Sequence, residues 1–467
     1  MNRLAGFTLA LGALAVAACS GDQTAPTAPA GIAAVRRDAT ADGSGRVIVS
    51  FRGRAADAVA ADVAARGGTL EWYHAGTGIG VVSGLAQADA AALPGATQAE
   101  ADAAVQVAPA ADPMVSDESA GDASVSSDGA ESQANPATAF FYRRQWNLRA
   151  IGANFAWAAG RTGSSSVRVA ILDTGIDDRY LDLNGLVDLS RSVSFVPSDD
   201  ALVHALFPTR SVTTDLHFHG THVASIVSSK ALAVAGVTSR VRLMAVKVLN
   251  RNGSGFTSDI LRGVLFAADN GADVINMSLG GEFAKAGNGR LIGFINKVFS
   301  YAQRQGTLAV VAAGNAHEDL DHNGNTYDDY CNQANVVCVA ATGPTAGATN
   351  GPWVGVDTPT PYTNYGSSAI TVAAPGGYAQ PVWGACSTTS LAVPVCRTGT
   401  FTLGVSGTSQ ATPHVSGLAA LIVEDVGHGH PQQVRARLMQ SADDLGAPGV
   451  DPYYGKGRIN VKTALGL

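Results

Sequence analysis

"VRVAILDTGI", residues 167–176, is a short apolar run that ends abruptly on an acid, a hydroxyl residue and a glycine. The runs "RLMAVKVL" (242–249), "ADVINMSL" (272–279), "TLAVVAAGN" (307–315), "VVCVAAT" (336–342) and "ITVAAPG" (370–376) have the same character. Each is too continuously apolar for a strand with one wet face. Helical stretches lie between several of them, such as Ser258 to Asn270 and Leu291 to Gln305. Continuous apolar strands joined by crossover helices imply a mostly parallel sheet covered on both faces, an α/β architecture. In such a sheet, functional groups gather outside the C-terminal strand ends. Asp173 stands at one such end. There is no internal repeat.

The chain has 467 residues, 46% of them hydrophobic and only 15% charged, with 54 glycines. That length and composition suit two or three domains with a large core and exclude disorder throughout. A formal net charge of −7 argues against nucleic acid as a partner. No apolar run suits a mature transmembrane helix.

The N-terminus reads as a signal peptide over residues 1–18. Arg3 supplies the positive start, and Leu4 to Ala18 are largely apolar. "VAAC" (16–19) resembles a bacterial lipobox, which implies lipidation of Cys19 and export with a membrane anchor. An ordinary signal peptide with an incidental cysteine is the alternative. Residues 19–45 then read as a tether.

Residues 46–108 carry "RVIVSF", an Ala-rich helix over 55–66, "TLEWYH", "GIGVVSGL", a short helix over 86–93 and "AAVQVAP" (103–109) as a last strand. The order β-α-β-β-α-β suggests a ferredoxin-like α+β module. Residues 109–139 are rich in Ser, Ala, Gly and acid, and residues 110–139 contain no Lys or Arg. They should bury too little to order themselves and form a disordered linker. Residues 140–467 form the larger domain.

Three residues carry a chemical argument. Asp173 ends a strand, His219 opens the apolar helical run of "HFHGTHVASIV" (217–227), and Ser409 opens that of "GTSQATPHVSG" (407–417). Pro413 is expected in the first turn of this last helix, where a missing N–H costs little. Ser409 read alone is a helix cap. His219 and His222 lack the Glu of a helical zinc motif. Together the three supply a nucleophile, a base to take its proton, and a carboxylate to fix the tautomer of that base. The order Asp…His…Ser is that of the subtilisins.

"DTGI" (173–176), "HGTHVA" (219–224) and "GTSQATPHVSG" resemble the three signature blocks of the subtilisin-like serine proteases. "NGSGFTSDILRGVLFA", "INMSLGG", "AVVAAGN" and "YGKGRIN" are also similar, so the likeness covers roughly 140–467. The resemblance implies a three-layer subtilisin-like sandwich and a peptide-bond hydrolase. It makes Asp173, His219 and Ser409 the triad and Asn315 the oxyanion-hole donor. His222 and His414 become structural. Gly253, Ser254 and Gly255 resemble one edge of the peptide-binding cleft, and Ser278, Leu279 and Gly280 the other. No acidic cluster marks these segments, so mainly apolar specificity is expected. The module at 46–108 resembles an inhibitory prodomain, removed by self-cleavage after about residue 107. Gln410 stands where many members have Met.

Apart from Cys19, four cysteines remain, and four allow three connectivities. The local pairing, Cys331 with Cys338 and Cys386 with Cys396, closes two short loops and is expected. No cofactor is implied for catalysis. However, Asp319, Asp321, Asn323, Gly324 and Asn325 resemble the first half of a D-x-D-x-[DN]-G calcium loop, with Tyr330 in place of the twelfth-position Glu. A structural calcium ion at Asp319, Asp321, Asn323 and Asn325 is the expectation; an acidic surface loop is the alternative.

Overall fold

A computed structural model describes residues 45–107, 112–120, 129–328 and 330–467. The expected signal peptide, Cys19 and almost all of the tether lie outside them, as do 109–111 and 121–128 of the expected linker.

The N-terminal unit contains β1 (Arg46–Phe51), α1 (Ala56–Ala64), β2 (Thr69–His74), β3 (Ile79–Ser83), α2 (Gln87–Ala91) and β4 (Ala96–Ala101). Its antiparallel sheet has the order β2-β3-β1-β4. Val47, Val49 and Phe51 pack with Val59 and Val63 of α1. On the opposite face Ile48, Ile79 and Val81 join a core shared with the larger domain. The alternation along β1 therefore serves two cores at once. The expected last strand is wrong. The fourth strand is "ATQAEA", whose polar residues hide it from an apolar pattern. The segment 103–107 instead leaves this sheet as β5 (Ala104–Gln106).

The described parts of 109–139 are ordered, against expectation. β6 (Met114–Val115) pairs with a strand of the larger domain. Arg144 reaches Asp117 at 2.5 Å and Glu118 at 2.7 Å, and Ala120 is buried beside Phe141. The acids that lack local partners find them in "YRR" (142–144). Short helices α3 (Gly129–Ala134), α4 (Trp146–Ala150) and α5 (Ala153–Ala158) lead into the main sheet.

That sheet is formed by β7 (Arg168–Asp173), β8 (Val193–Ser194), β9 (Arg242–Lys247), β11 (Val274–Met277), β13 (Leu308–Ala312), β15 (Val336–Gly343), β18 (Thr358–Pro359) and β19 (Val372–Pro375), with β10 (Ser254–Phe256) standing outside it. The order is β18-β15-β13-β11-β7-β9-β8, with β19 also on β15; only β18 runs antiparallel. Small ribbons, β12 (Glu282–Ala284) with β14 (Thr326–Asp328) and β16 (Ala346–Gly347) with β17 (Trp353–Val354), lie off it. So does the pair β20 (Val382–Ala385) and β21 (Thr402–Val405).

Val169 and Ile171 face a core built with α7 (His219–Val227) and α10 (Thr408–Val426); α6 (Pro197–Leu206) precedes them in the chain. Ala170 and Leu172 face the other core, built with α8 (Thr257–Asp269) and α9 (Gly289–Arg304). Both faces are covered, as the continuous apolar runs require, and the architecture is a three-layer α/β sandwich. Helices α11 (Pro431–Gln440) and α12 (Val461–Ala464) close the chain.

Candidate active site

Asp173 ends β7, and His219 is the first residue of α7; both side chains are fully buried. His219 Nδ1 lies 2.8 Å from Asp173 Oδ1 and 2.9 Å from Oδ2. Such a carboxylate fixes the proton on Nδ1 and leaves Nε2 as the basic nitrogen. The approach depends on glycine: a Cβ on Gly220 would sit 2.1 Å from the carbonyl oxygen of Gly175. Burial alone would push His219 toward its neutral form. Asp173, helped by Asp215, outweighs it, and the net direction is upward. The neighbouring histidines go the other way. Burial brings His217 down to about 4, His414 to about 4 and His222 to about 3.

His222 and His414 are bonded to backbone carbonyls. His222 Nε2 sits 3.0 Å from the carbonyl oxygen of Leu403, and His414 Nδ1 sits 2.8 Å from that of Gln410. Asn147 Nδ2 donates to His414 Nε2 at 2.7 Å. They stitch buried helices to their surroundings.

Ser409 is the second residue of α10 and is 4% exposed. Its Oγ donates to the carbonyl oxygen of Ser278 at 3.0 Å, and Ser278 Oγ donates to the carbonyl oxygen of Ser409 at 2.7 Å. Pro413 explains the second bond. It lies in the second turn, not the first as expected, because α10 begins at Thr408. Lacking an N–H, it frees the carbonyl of Ser409, four residues back, from the helix ladder. His219 Nε2 has no hydrogen-bond partner among the described residues. The helices that carry the two residues, α7 and α10, share one core, and Ser409 Oγ is bonded to Ser278 O while His219 Nε2 is left free for a proton.

Asn315 follows β13. Its Oδ1 accepts from Thr408 N and Thr408 Oγ1, both at 2.9 Å. These two bonds fix the Asn315 side chain beside Thr408, the residue before Ser409. The positive end of the α10 dipole lies at the same point.

The segment 253–255 lies on a strand edge that is already occupied. β5 pairs antiparallel with β10, Ser254 opposite Gln106 and Gly255 opposite Val105, and Val107 N donates to Gly253 O at 2.8 Å. Of the second segment, Ser278 and Leu279 are buried, while a Cβ on Gly280 would meet open space. The structure does bring acids near this region. Asp328 pairs directly with Glu282 across β12 and β14, and its Oδ2 lies 3.7 Å from a Cβ built on Gly314. Burial first, then Glu282 and Glu318, hold the Asp328 carboxyl well above the usual range. The sequence missed this cluster because its members are far apart in the chain.

The cysteines pair locally, Cys331 with Cys338 and Cys386 with Cys396. The expected calcium ligands do not converge. Asp321 accepts from Ser368 N and Oγ, Asp319 faces His322 Nδ1 at 2.9 Å, Asn323 Oδ1 accepts from Lys285, and Asn325 Oδ1 accepts from Ala286 N. Each oxygen is turned to a different protein donor, so the set does not fit a shared cation. Among the described residues no group of three His, Cys, Asp or Glu side chains is placed to hold a metal ion. No helix there is long and apolar enough to cross a membrane.

Sequence reasoning passed over Asp215, Lys247 and Asp199. All three are fully buried, Lys247 at the end of β9, Asp199 on α6 and Asp215 in the loop before α7. The only sequence signal was acid or base inside otherwise apolar or histidine-rich stretches.

The subtilase family profile matches residues 164–457. Thermitase of Thermoactinomyces vulgaris is 30% identical over 334 residues, covering 71% of this chain and 99% of that protein. Subtilisin DY of Bacillus licheniformis is 33% identical over 321 residues, covering 68% and 97%. In fold alone, the chain resembles the crystal structure of a lanthipeptide protease, with a TM-score of 0.58 at 24% identity over 70% of this chain and 95% of that one.

Proposed function

The chain belongs to the subtilase family and is a subtilisin-like serine peptidase, and on that premise we propose that Asp173, His219 and Ser409 are its catalytic triad. The observation that carries this reading is the buried Asp173–His219 pair, held at 2.8 Å, with His219 on α7, which packs against α10, the helix whose second residue is Ser409. In the proposed cycle, a peptide enters and Ser409 Oγ turns from Ser278 O toward His219 Nε2. The imidazole takes the hydroxyl proton as Oγ attacks the scissile carbonyl. Asp173 keeps the proton on Nδ1 and stabilises the imidazolium.

The developing oxyanion meets Ser409 N–H and Asn315 Nδ2. Donors fixed in advance are worth more here than in water, and losing one typically costs about 10²–10³ in kcat. The imidazolium then protonates the leaving amine, and the acyl-enzyme is hydrolysed by water with His219 again as base.

Polypeptides are the substrates in this reading, held by strand pairing along Gly253–Gly255 and Ser278–Gly280. Residues 46–108 act as an inhibitory prodomain whose segment Ala104 to Val107 lies along the first of these edges. Its hold has a polar part. Arg46 bonds Asp259 through both guanidinium nitrogens at 2.8 Å, and Asp102 Oδ1 accepts from Ser258 N at the start of α8 at 2.9 Å. The two disulfides suit an oxidising compartment, which supports export. Lipidation at Cys19 belongs to the same proposal and rests on the sequence.

Ser409→Ala tests the whole reading. Expressed in a protease-deficient host, the variant is expected to stay a full-length precursor, bind no fluorophosphonate and cleave no casein. Normal maturation of the variant would sink self-processing, and normal labelling would sink the nucleophile.

A further inference from the structure

Asp215 is a buried acid that no step above uses. It lies in the loop before α7, four residues ahead of His219. Its Oδ1 accepts from Thr174 Oγ1 and from His217 N, each at 2.9 Å. Its Oδ2 accepts from Thr221 N at 2.9 Å and from Thr221 Oγ1 at 2.7 Å. Four donors fill the acceptor sites of one carboxylate. These donors come from both sides of the catalytic pair. Thr174 follows Asp173, and its hydroxyl in turn accepts from Gly220 N at 3.0 Å. His217 and Thr221 flank His219.

Behind this junction stands a buried cation. Lys247 is in register with Asp173 across β7 and β9, and its ammonium donates to Thr174 O. It lies 3.0 Å from Asp199 Oδ2 on α6, and Arg251 lies 3.1 Å from Asp199 Oδ1. Burial raises the Asp215 carboxyl above its ordinary range, and Lys247 together with the bonds from Thr221 and Thr174 opposes that rise.

Resting on the triad reading, we propose that Asp215 is a positioning residue for the base: it clamps the first turn of α7 to the end of β7 and so sets His219 against Asp173. Its charge has a second effect. The groups facing His219 are Asp173, Asp215, His217 and His222, with Lys247 and Asp199 behind. His217 and His222 are held neutral by burial. Asp215 therefore adds to Asp173 in favouring the imidazolium that forms when Ser409 gives up its proton. An amide cannot replace this carboxylate, because its NH2 would face donors on one side.

The test compares Asp215→Asn and Asp215→Glu by kcat, KM and the pH profile of kcat/KM, with melting followed in parallel. For Asp215→Asn, kcat is expected to fall roughly ten- to hundredfold with KM nearly unchanged, as for a misplaced catalytic group. The acid limb of kcat/KM, which reports the base in the free enzyme, should move to lower pH because a negative neighbour is lost. Asp215→Glu keeps the charge but not the reach, so kcat should fall while the acid limb stays. A purely structural role would lower the melting temperature and leave kcat and the limb where they are; that result overturns the proposal. If Asp215→Asn does not fold, Thr174→Val cuts one arm of the clamp. A kcat equal to that of wild type there also overturns it. Fluorophosphonate labelling of wild-type Ser409 keeps the two readings apart: an unlabelled wild type takes down the triad and this proposal together, whereas a labelled one confines any failure to Asp215.

Discussion

Two groups of buried carboxylates sit in this molecule, and they are solved in opposite ways. Around the base, Asp173, Asp177, Asp182 and Asp215 are fully buried, and each receives donors built into the fold. Asp182 takes the N–H groups of Leu232, Ala233 and Val234. Asp177 takes Arg210 at 2.6 Å and Thr388 N at 2.7 Å. Near the loop that begins at Glu318, Asp328 is also buried but faces Glu282 and Glu318. Burying a charge is costly unless hydrogen bonds or an opposite charge offset it. Burial raises the carboxyls of Asp182 and Asp215 in the first group, but donors built into the fold oppose the rise, whereas in the second group like charges add to the burial that raises Asp328.

Breaking the first group should have the largest effects. Asp173→Ala is expected to lower kcat by about 10⁴ or more, because His219 loses its tautomer lock; single-turnover kinetics would read it, with retained melting as the control. Asp182→Ala lies away from the nucleophile and should act on stability. It strands three backbone N–H groups, at about 1–3 kcal/mol for each one left unsatisfied. A clear drop in melting temperature with little change in kcat is expected, and an unchanged melt would refute the wiring.

The second group should respond in the opposite sense. Asp328→Asn removes like-charge repulsion across β12 and β14, a gain of about 0.2–1 kcal/mol, and Asn364 can still donate to the amide oxygen. The pH dependence follows from the raised carboxyl. Its penalty is absent below the unfolded-state pKa of about 4 and grows as pH rises toward the folded value. Wild type and variant should therefore melt together at low pH and separate at neutral pH, with the variant higher. A variant that melts lower at neutral pH would show that Asp328 is needed as an anion. An effect of similar size is expected at Asp321, whose carboxylate holds Ser368. Asp321→Ala should cost about 0.5–1.5 kcal/mol, with or without chelator. A chelator-dependent difference would restore the calcium reading that the side-chain directions disfavour.

The contrast also measures how far the chain could be read in one dimension. Asp173, His219 and Ser409 could be put forward as a set because a strand end and two helix starts carry an acid, an imidazole and a hydroxyl in the order Asp…His…Ser, within blocks that resemble the family signatures. The local disulfides followed from spacing. Asp215 was not legible, although it is only four residues from His219, because its role lies in Thr174, far back in the chain. Asp328, Glu282 and Glu318 looked like ordinary surface acids, and the calcium pattern was read from spacing alone. Spacing sets which oxygens are near one another along the loop, not which way they turn, and Ser368, Lys285 and Ala286 turned them apart. The linker failed for the same reason: its acids were judged without Arg143 and Arg144.

The sequence by itself determined the layered α/β fold, since continuous apolar strands are stable only with helices on both faces, and it determined the chemical types available at the strand ends. Tertiary structure alone decided which buried acids meet donors and which meet like charges, where the tail at 104–107 pairs, and that Ser409 rests on Ser278 rather than His219. Those outcomes depend on directional hydrogen bonds and short-range electrostatics between distant segments, and a one-dimensional pattern carries no direction.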